Sequence, residues 1–165
     1  MKLKMEYADI NSFILDPKNA RTHSEAQLAQ IEASIREFGF NDPIATDTDM
    51  GVIEGHGRII AAKKLGIAQL PYFNLTHLTK TQKRAYMIAH NKIAMNAGWS
   101  DDLLKIELLD LKDLDFDLSL VGFDGPELAE IMYGPEFAPV GEDEQGRLDQ
   151  KKPIKCPGCG LEFTQ

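Results

Sequence analysis

The chain is poor in cysteine: it has two, Cys156 and Cys159, three positions apart. A pair that close cannot staple a fold, so a disulfide scaffold is excluded. Long apolar runs are also missing. None approaches the roughly 18 residues that a membrane-spanning helix requires. The opening Met1-Lys2-Leu3-Lys4-Met5-Glu6 lacks the apolar stretch of a secretory signal. A cytoplasmic location is the expectation. Positive charge is scarce as well, with 18 Lys and Arg against 26 Asp and Glu and a net charge of −8. A protein that grips nucleic acid through the backbone alone needs cations in excess, and the whole chain does not supply them.

The deficit is uneven. Residues 1–99 hold 12 Lys and Arg against 10 Asp and Glu, a balance of +2, whereas residues 100–165 hold 6 against 16, a balance of −10. The cations of the first part gather at Lys63-Lys64 and at Lys80, Lys83 and Arg84. They read either as solvated helix faces or as a nucleic-acid patch. With 165 residues and 43% apolar content, the chain suits one folded domain with appendages.

Local patterns give the order of elements. Leu3 to Leu15 reads as a strand and a loop, closed by a turn at Asp16-Pro17-Lys18-Asn19. Ser24-Glu25-Ala26-Gln27 is a capping box, and Leu28, Ile31, Ile35 and Phe38 follow at helical spacing before Gly39. Pro43 to Thr46 and Val52 to Glu54 read as two strands around a turn-rich loop. Arg58 to Leu65 reads as a short helix, and Pro71 to Leu75 as another strand. A second capping box, Thr79-Lys80-Thr81-Gln82, opens a helix whose apolar stripe is Ala85, Ile88, Ala89 and Ile93. Ser100-Asp101-Asp102 opens the next, with carboxylates at the positive end of its dipole. Asp124 to Met132 is a last short helix, and from Gly134 to Lys155 the composition is that of a linker. The expected fold class is α/β (α+β): a small mixed sheet with packed helices, a helical extension and a flexible tail.

The segment with chemical content is Val52-Ile53-Glu54-Gly55-His56-Gly57-Arg58-Ile59-Ile60-Ala61-Ala62. A strand enters a Gly-X-Gly-Arg turn that opens directly into a helix. Glycine allows the sharp turn and a close approach of ligand to main chain. The first amides of the helix have no internal partner, and with the helix dipole they attract an anion. Arg58 adds a planar fork suited to phosphate oxygens. The expected ligand is a phosphate, of a nucleotide or of a nucleic-acid backbone. Two close glycines also occur in turns that bind nothing, so on spacing alone both readings stand.

Gly55-His56-Gly57-Arg58-Ile59-Ile60-Ala61-Ala62 resembles the Gly-x-x-Arg-x-x-Ala box of the ParB and sulfiredoxin families. The resemblance covers roughly residues 8–133. Upstream, Asn19-Ala20-Arg21, the helix ending at Phe38-Gly39, and Asp42-Pro43-Ile44 match the first ParB box. Downstream, Arg84 to Ile93, Trp99-Ser100 and Leu120-Val121-Gly122-Phe123 are similar to a ParB-like subfamily of phages and integrated elements, often beside or fused to DNA methyltransferases. The resemblance implies that Gly55, Gly57 and Arg58 grip a nucleotide triphosphate, CTP or ATP, with Arg21 and the Gly39–Ile44 segment nearby. It implies Asn91 as a further phosphate contact and Mg2+ as a companion ion. The third family box, Glu-Asn-x-x-Arg, reads His90-Asn91-Lys92-Ile93-Ala94 here, so its Glu and Arg are replaced. Sulfiredoxins carry a reactive Cys in the glycine turn; His56 stands near that place, which rules out their redox chemistry.

Single residues carry paired readings. His56 is a general base or phosphate donor exposed to the ligand, or a loop histidine that steadies the turn. Glu54 polarises water or holds a metal with Asp47 or Asp49, or is an ordinary hairpin residue. His90 is a metal ligand or a polar helix position. Trp99 stacks on a base or packs beside a helix cap. Cys156-Pro157-Gly158-Cys159-Gly160 has the shape of a zinc knuckle, but only half of a four-ligand site is visible. A second copy in a homodimer completes it, or the knuckle is metal-free.

The resulting division is 1–98 for the ParB/sulfiredoxin-like domain, 99–133 for the helical extension, 134–155 for an acidic linker and 156–165 for the knuckle. The expected role is a module that binds nucleotide or nucleic-acid phosphate and serves modification or partition of a mobile element, with DNA and a DNA methyltransferase as partners. The alternatives are a ParB-like nuclease or nucleotide hydrolase using Glu54, His56 and Arg58, and an adaptor whose acidic helices carry the contacts. Short helices and a linker after Leu78 argue against a sliding clamp, which needs a full helix-turn-helix domain and a dimerisation domain.

Overall fold

The structure, a computed structural model, describes residues 3–134 and 154–163. Residues 135–153, most of the expected linker, lie outside the described residues. Four strands form one mixed sheet: β1 (Glu6–Asp9), β2 (Ile44–Thr46), β3 (Val52–Glu54) and β4 (Gln69–Asn74), in the order β1-β4-β2-β3. β4 runs antiparallel to β1 and parallel to β2, and β2 pairs with β3 as an antiparallel hairpin. The hairpin closes because the Asp47 side chain accepts from the amides of Asp49 (3.0 Å) and Gly51 (2.8 Å). The crossover from β3 to β4 is α2 (His56–Lys64).

Side chains alternate across a strand, and here both sheet faces are covered. Ile44, Val52 and Leu70 point to one face, where they meet Ile59 and Ala62 of α2 together with Ile10 and Phe13. Their neighbours Ala45 and Ile53 point to the other face with Leu75, against Tyr86 and Met87 of α3 (Lys80–Ala94). The sheet is thus held between α2 and α3, and the central β2 is buried along its whole length for that reason.

α1 (Glu25–Phe38) lies against α2, where Lys64 pairs with Glu25 (2.8 Å) and Glu32 (3.3 Å). Its cap is only half of the expected box. Ser24 Oγ accepts from the Gln27 amide (3.1 Å), but Gln27 Oε1 turns to His23 Nδ1 (2.9 Å) instead of reaching back. Thr79 and Gln82 form the complete reciprocal box on α3. The expected stripe of α3 is corrected: Ile88 and Ile93 stay 67% and 68% exposed, while Tyr86 and Met87 face the sheet. Both sides of this helix are apolar, so periodicity alone cannot tell which one packs.

α4 (Asp101–Asp113) and α5 (Gly125–Tyr133) follow, with a 3-10 turn at Leu118–Val121 between them. Phe116 stacks on Phe38 at the end of α1 (6.2 Å between centroids), and Gln30 donates to the Gly122 carbonyl (3.0 Å). Leu108 and Met132 are buried. Residues 1–132 form one compact unit, and 133–165 a second. The described part of the second is a hairpin of β5 (Ile154–Lys155) and β6 (Glu162–Phe163). No described helix is long and apolar enough to cross a membrane.

Candidate functional site: the glycine turn after β3

β3 delivers Glu54 to the sheet edge, and the chain turns at Gly55 with φ +103. Only glycine adopts that conformation cheaply. A methyl group there would also strike Ile44 Cδ1 at 2.5 Å. Helix α2 begins at once, without a side-chain cap on its N-terminus. The N-termini of α1 and α3 are satisfied by Ser24 and Thr79. The sequence supplies glycine where those helices have a hydroxyl, which leaves the first α2 amides available to an anion.

Arg58, on the first turn of α2, is held at 18% side-chain exposure. Its Nη2 donates to Glu54 Oε1 (2.8 Å), and Nη1 contacts the Asp42 carboxylate. Its Nε is buried and unbonded among the described residues, an unused donor at the turn. Burial pushes the Arg58 pKa down to about 10, so the guanidinium is still charged at neutral pH. Two carboxylates therefore occupy part of the fork expected for phosphate. Asp42, however, is 70% exposed on its loop, and the turn opens into a cavity of about 230 Å³.

Glu54 sits between the Arg58 guanidinium (Nη2, 2.8 Å) and His90 Nε2 (3.2 Å). Burial raises its pKa, and the His90 charge opposes the rise. His90, which replaces the family's Glu, thus faces a carboxylate contributed by β3. Among the described residues no three His, Cys, Asp or Glu side chains converge on a metal position. Asp47 is engaged in its own turn and lies 3.7 Å from Lys83, and Asp49 is exposed beside it. These residues do not fit a protein-held magnesium ion.

Of the two readings of His56, the described contacts fit the one that steadies the turn. His56 is 8% exposed, and its Nε2 accepts from the Asp16 amide (3.3 Å). A ring that accepts there is neutral with its proton on Nδ1, and burial lowers its pKa. The side chain steadies the turn and ties it to the 14–22 loop. That loop carries Arg21, whose amide is held by Asn19 (3.1 Å).

Arg21, Gly55, Gly57, Arg58, Asn91, Glu54 and His56 all line the small cavity, so the residues singled out from sequence meet in space. Asn91 donates to the Met87 carbonyl (2.7 Å), which fixes its orientation on α3. The sequence reading missed His23. A Cβ on Gly57 would lie 2.9 Å from the His23 ring, so Gly57 is needed for that ring to pack on the start of α2. The clue was Gln27, three residues after Ser24 and four after His23.

A second, larger cleft of about 1260 Å³ adjoins, between the 14–22 loop and α3, and shares Asn19, Arg21, Ile53 and Asn91 with the first. Lys18, Arg21, Lys80, Lys83, Arg84 and Lys92 line it, against Asp16 and Asp47. The local charge is positive although the chain is acidic. Trp99 is set apart from this cation-lined wall, exposed with its ring 5.8 Å from Phe123.

The comparisons agree with this architecture. The ParB-like nuclease domain-containing protein YnaK of Escherichia coli strain K12 is 40% identical over 83 residues, covering 50% of this chain and 95% of YnaK. Residues 102–157 match a family model described as the ParB-methyltransferase HTH domain. The match includes the helices that the sequence reads as an extension. The C-terminally truncated chromosome-partitioning protein ParB of Caulobacter crescentus, solved with CTP-gamma-S, superposes with a TM-score of 0.63 at 20% identity, over 78% of this chain and 77% of that one. That likeness is one of fold. The fold is an α/β domain of the ParB N-terminal kind. The chain belongs to the ParB-like nuclease-domain family, a label that by itself assigns no reaction.

Proposed function

We propose that this protein binds a nucleoside triphosphate at the glycine turn and acts as a DNA-associated accessory to modification or partition of a phage or mobile element. The carrying observation is the uncapped start of α2 behind a left-handed Gly55, with Arg58 and Arg21 beside the same cavity. The phosphates sit at the first amides of α2, where dipole and free donors act together. Arg58 exchanges the exposed Asp42 carboxylate for a phosphate oxygen and keeps Glu54. The larger cationic cleft receives the rest of the nucleotide. CTP is the first candidate, because the Caulobacter protein of the same fold was solved with CTP-gamma-S. The YnaK relationship and the HTH-domain match support the DNA-associated role.

Calorimetry with CTP, ATP and GTP, each with and without magnesium, tests the reading. Saturable binding of one of them is expected, weakened on the order of 10- to 100-fold in Arg58→Ala, the size of a lost charge-assisted contact. Asp42→Asn removes the competitor and is expected to tighten binding by about 2- to 5-fold. If the wild-type protein binds none of the three nucleotides, the nucleotide reading is lost.

A further inference from the structure

Cys156 and Cys159 are free thiols on the β5–β6 hairpin, and among the described residues no third ligand joins them. A different feature lacks a partner. We propose that the outer face of α4 docks a basic amphipathic helix of a partner protein. α4 is apolar on two sides. Leu104 and Leu111 are half-buried and Leu108 is buried, which sets one side inward. On the other side Leu103, Ile106 and Leu114 remain 64%, 53% and 78% exposed. With about 3.6 residues per turn, these three fall on one stripe, and Asp110 lies between the last two. Asp102 and Asp113 flank the stripe on one edge and Glu107 on the other, whereas Lys105 and Lys112 stand roughly opposite. Among the described residues, none of these four carboxylates forms an ion pair.

The helix itself does not account for these charges. Asp101 and Asp102 suit the positive start of the dipole, but Asp110 and Asp113 stand at its negative end, where the dipole and their own repulsion oppose them. The pattern is that of a seam between paired helices. An apolar stripe supplies contact, and acidic margins select a partner of opposite charge. A second copy of this chain would set carboxylate against carboxylate. Duplex DNA is equally unsuited. Over residues 101–133, Asp and Glu outnumber Lys and Arg by ten to two, although α4 and α5 fall almost wholly within the stretch matched as an HTH domain. A DNA reader has to neutralise phosphates, and this stretch repels them. An apolar helix with Lys or Arg at its margins satisfies both halves of the face. Proteins that handle DNA carry cationic surfaces, so docking at α4 brings this chain to DNA through its partner. Docking here is independent of nucleotide binding at the glycine turn, since α4 lines neither cavity.

The test uses the full chain and two labelled synthetic peptides of identical Leu and Lys content. One places its leucines at helical spacing, and the other has them scrambled. Fluorescence anisotropy is expected to show the amphipathic peptide bound about 10-fold tighter than the scrambled one, which removes charge alone as the cause. Leu103→Ser/Ile106→Ser is expected to abolish that preference. Asp110→Asn/Asp113→Asn is expected to weaken binding roughly 5-fold at low salt and to flatten its salt dependence. All four positions lie on the exposed face, so an unchanged thermal midpoint in both variants separates loss of the surface from failure to fold. Equal binding of the two peptides, as when a second copy or the chain's own tail holds the face, overturns the proposal. So does a preference that survives Leu103→Ser/Ile106→Ser, or binding of a labelled DNA duplex that is lost in that variant.

Discussion

At the scale of the residue, His56 shows how a chemically suggestive side chain is turned to structural use. Its ring is buried, its Nε2 is occupied by the Asp16 amide, and Asp16 and His23 are its titratable neighbours. Burial depresses its pKa from the ordinary 6.5. A base with a depressed folded value contributes stability that is present above its unfolded value and is lost as pH falls through the folded value. The thermal midpoint is therefore expected to fall as pH drops from about 8 to about 6, and to fall less in His56→Gln. Glu54, whose pKa is raised, acts with the opposite sign: its contribution is present at acid pH and is lost as pH rises through its folded value. Parallel midpoint curves for wild type and His56→Gln would show that the ring does not carry this linkage.

At the scale of the element, the helix starts differ by design. α3 has a reciprocal cap in which the Thr79 side chain accepts from the Gln82 amide (3.3 Å) and Gln82 accepts from the Thr79 amide (2.9 Å). Thr79→Ala is expected to cost about 0.5–2 kcal/mol in chemical denaturation, with weaker nucleotide binding because α3 carries Asn91 and a wall of the cleft. No change in either quantity would mean that α3 is held by Tyr86 and Met87 alone. The glycine turn is legible in the sequence because strand, glycines, arginine and helix are contiguous. The caps at Ser24 and Thr79 are legible for the same reason. What is not legible comes from distant segments. The loop amide that engages His56, the imidazole that packs on Gly57, and the carboxylate that reaches Arg58 from Asp42 are set by tertiary packing. The orientation of α3 belongs to this group too, since Ile88 and Met87 are adjacent and equally apolar.

At the scale of the whole molecule, charge and architecture divide in different places. The acidic second part of the chain includes α4 and α5, and the segment between them nevertheless packs on α1 through Phe116 and Gly122. The two apolar clusters lie wholly in the first unit. A fragment ending at Gly134 is therefore expected to unfold cooperatively at the midpoint of the full chain and to keep its nucleotide affinity. A fall of many degrees on truncation would show that residues beyond the first unit support it.

The close approach of Gly55 to Ile44 has a last consequence. Ile44 is completely enclosed by the core, and the turn rests directly on its terminal methyl. The floor under an incoming anion is thus the packed interior itself, with no compliant layer between. Rim substitutions such as those at Asp42 can tune affinity without disturbing the fold. Any bulk added beneath would be felt simultaneously as lost binding and lost stability, so variation that preserves the protein must enter from above.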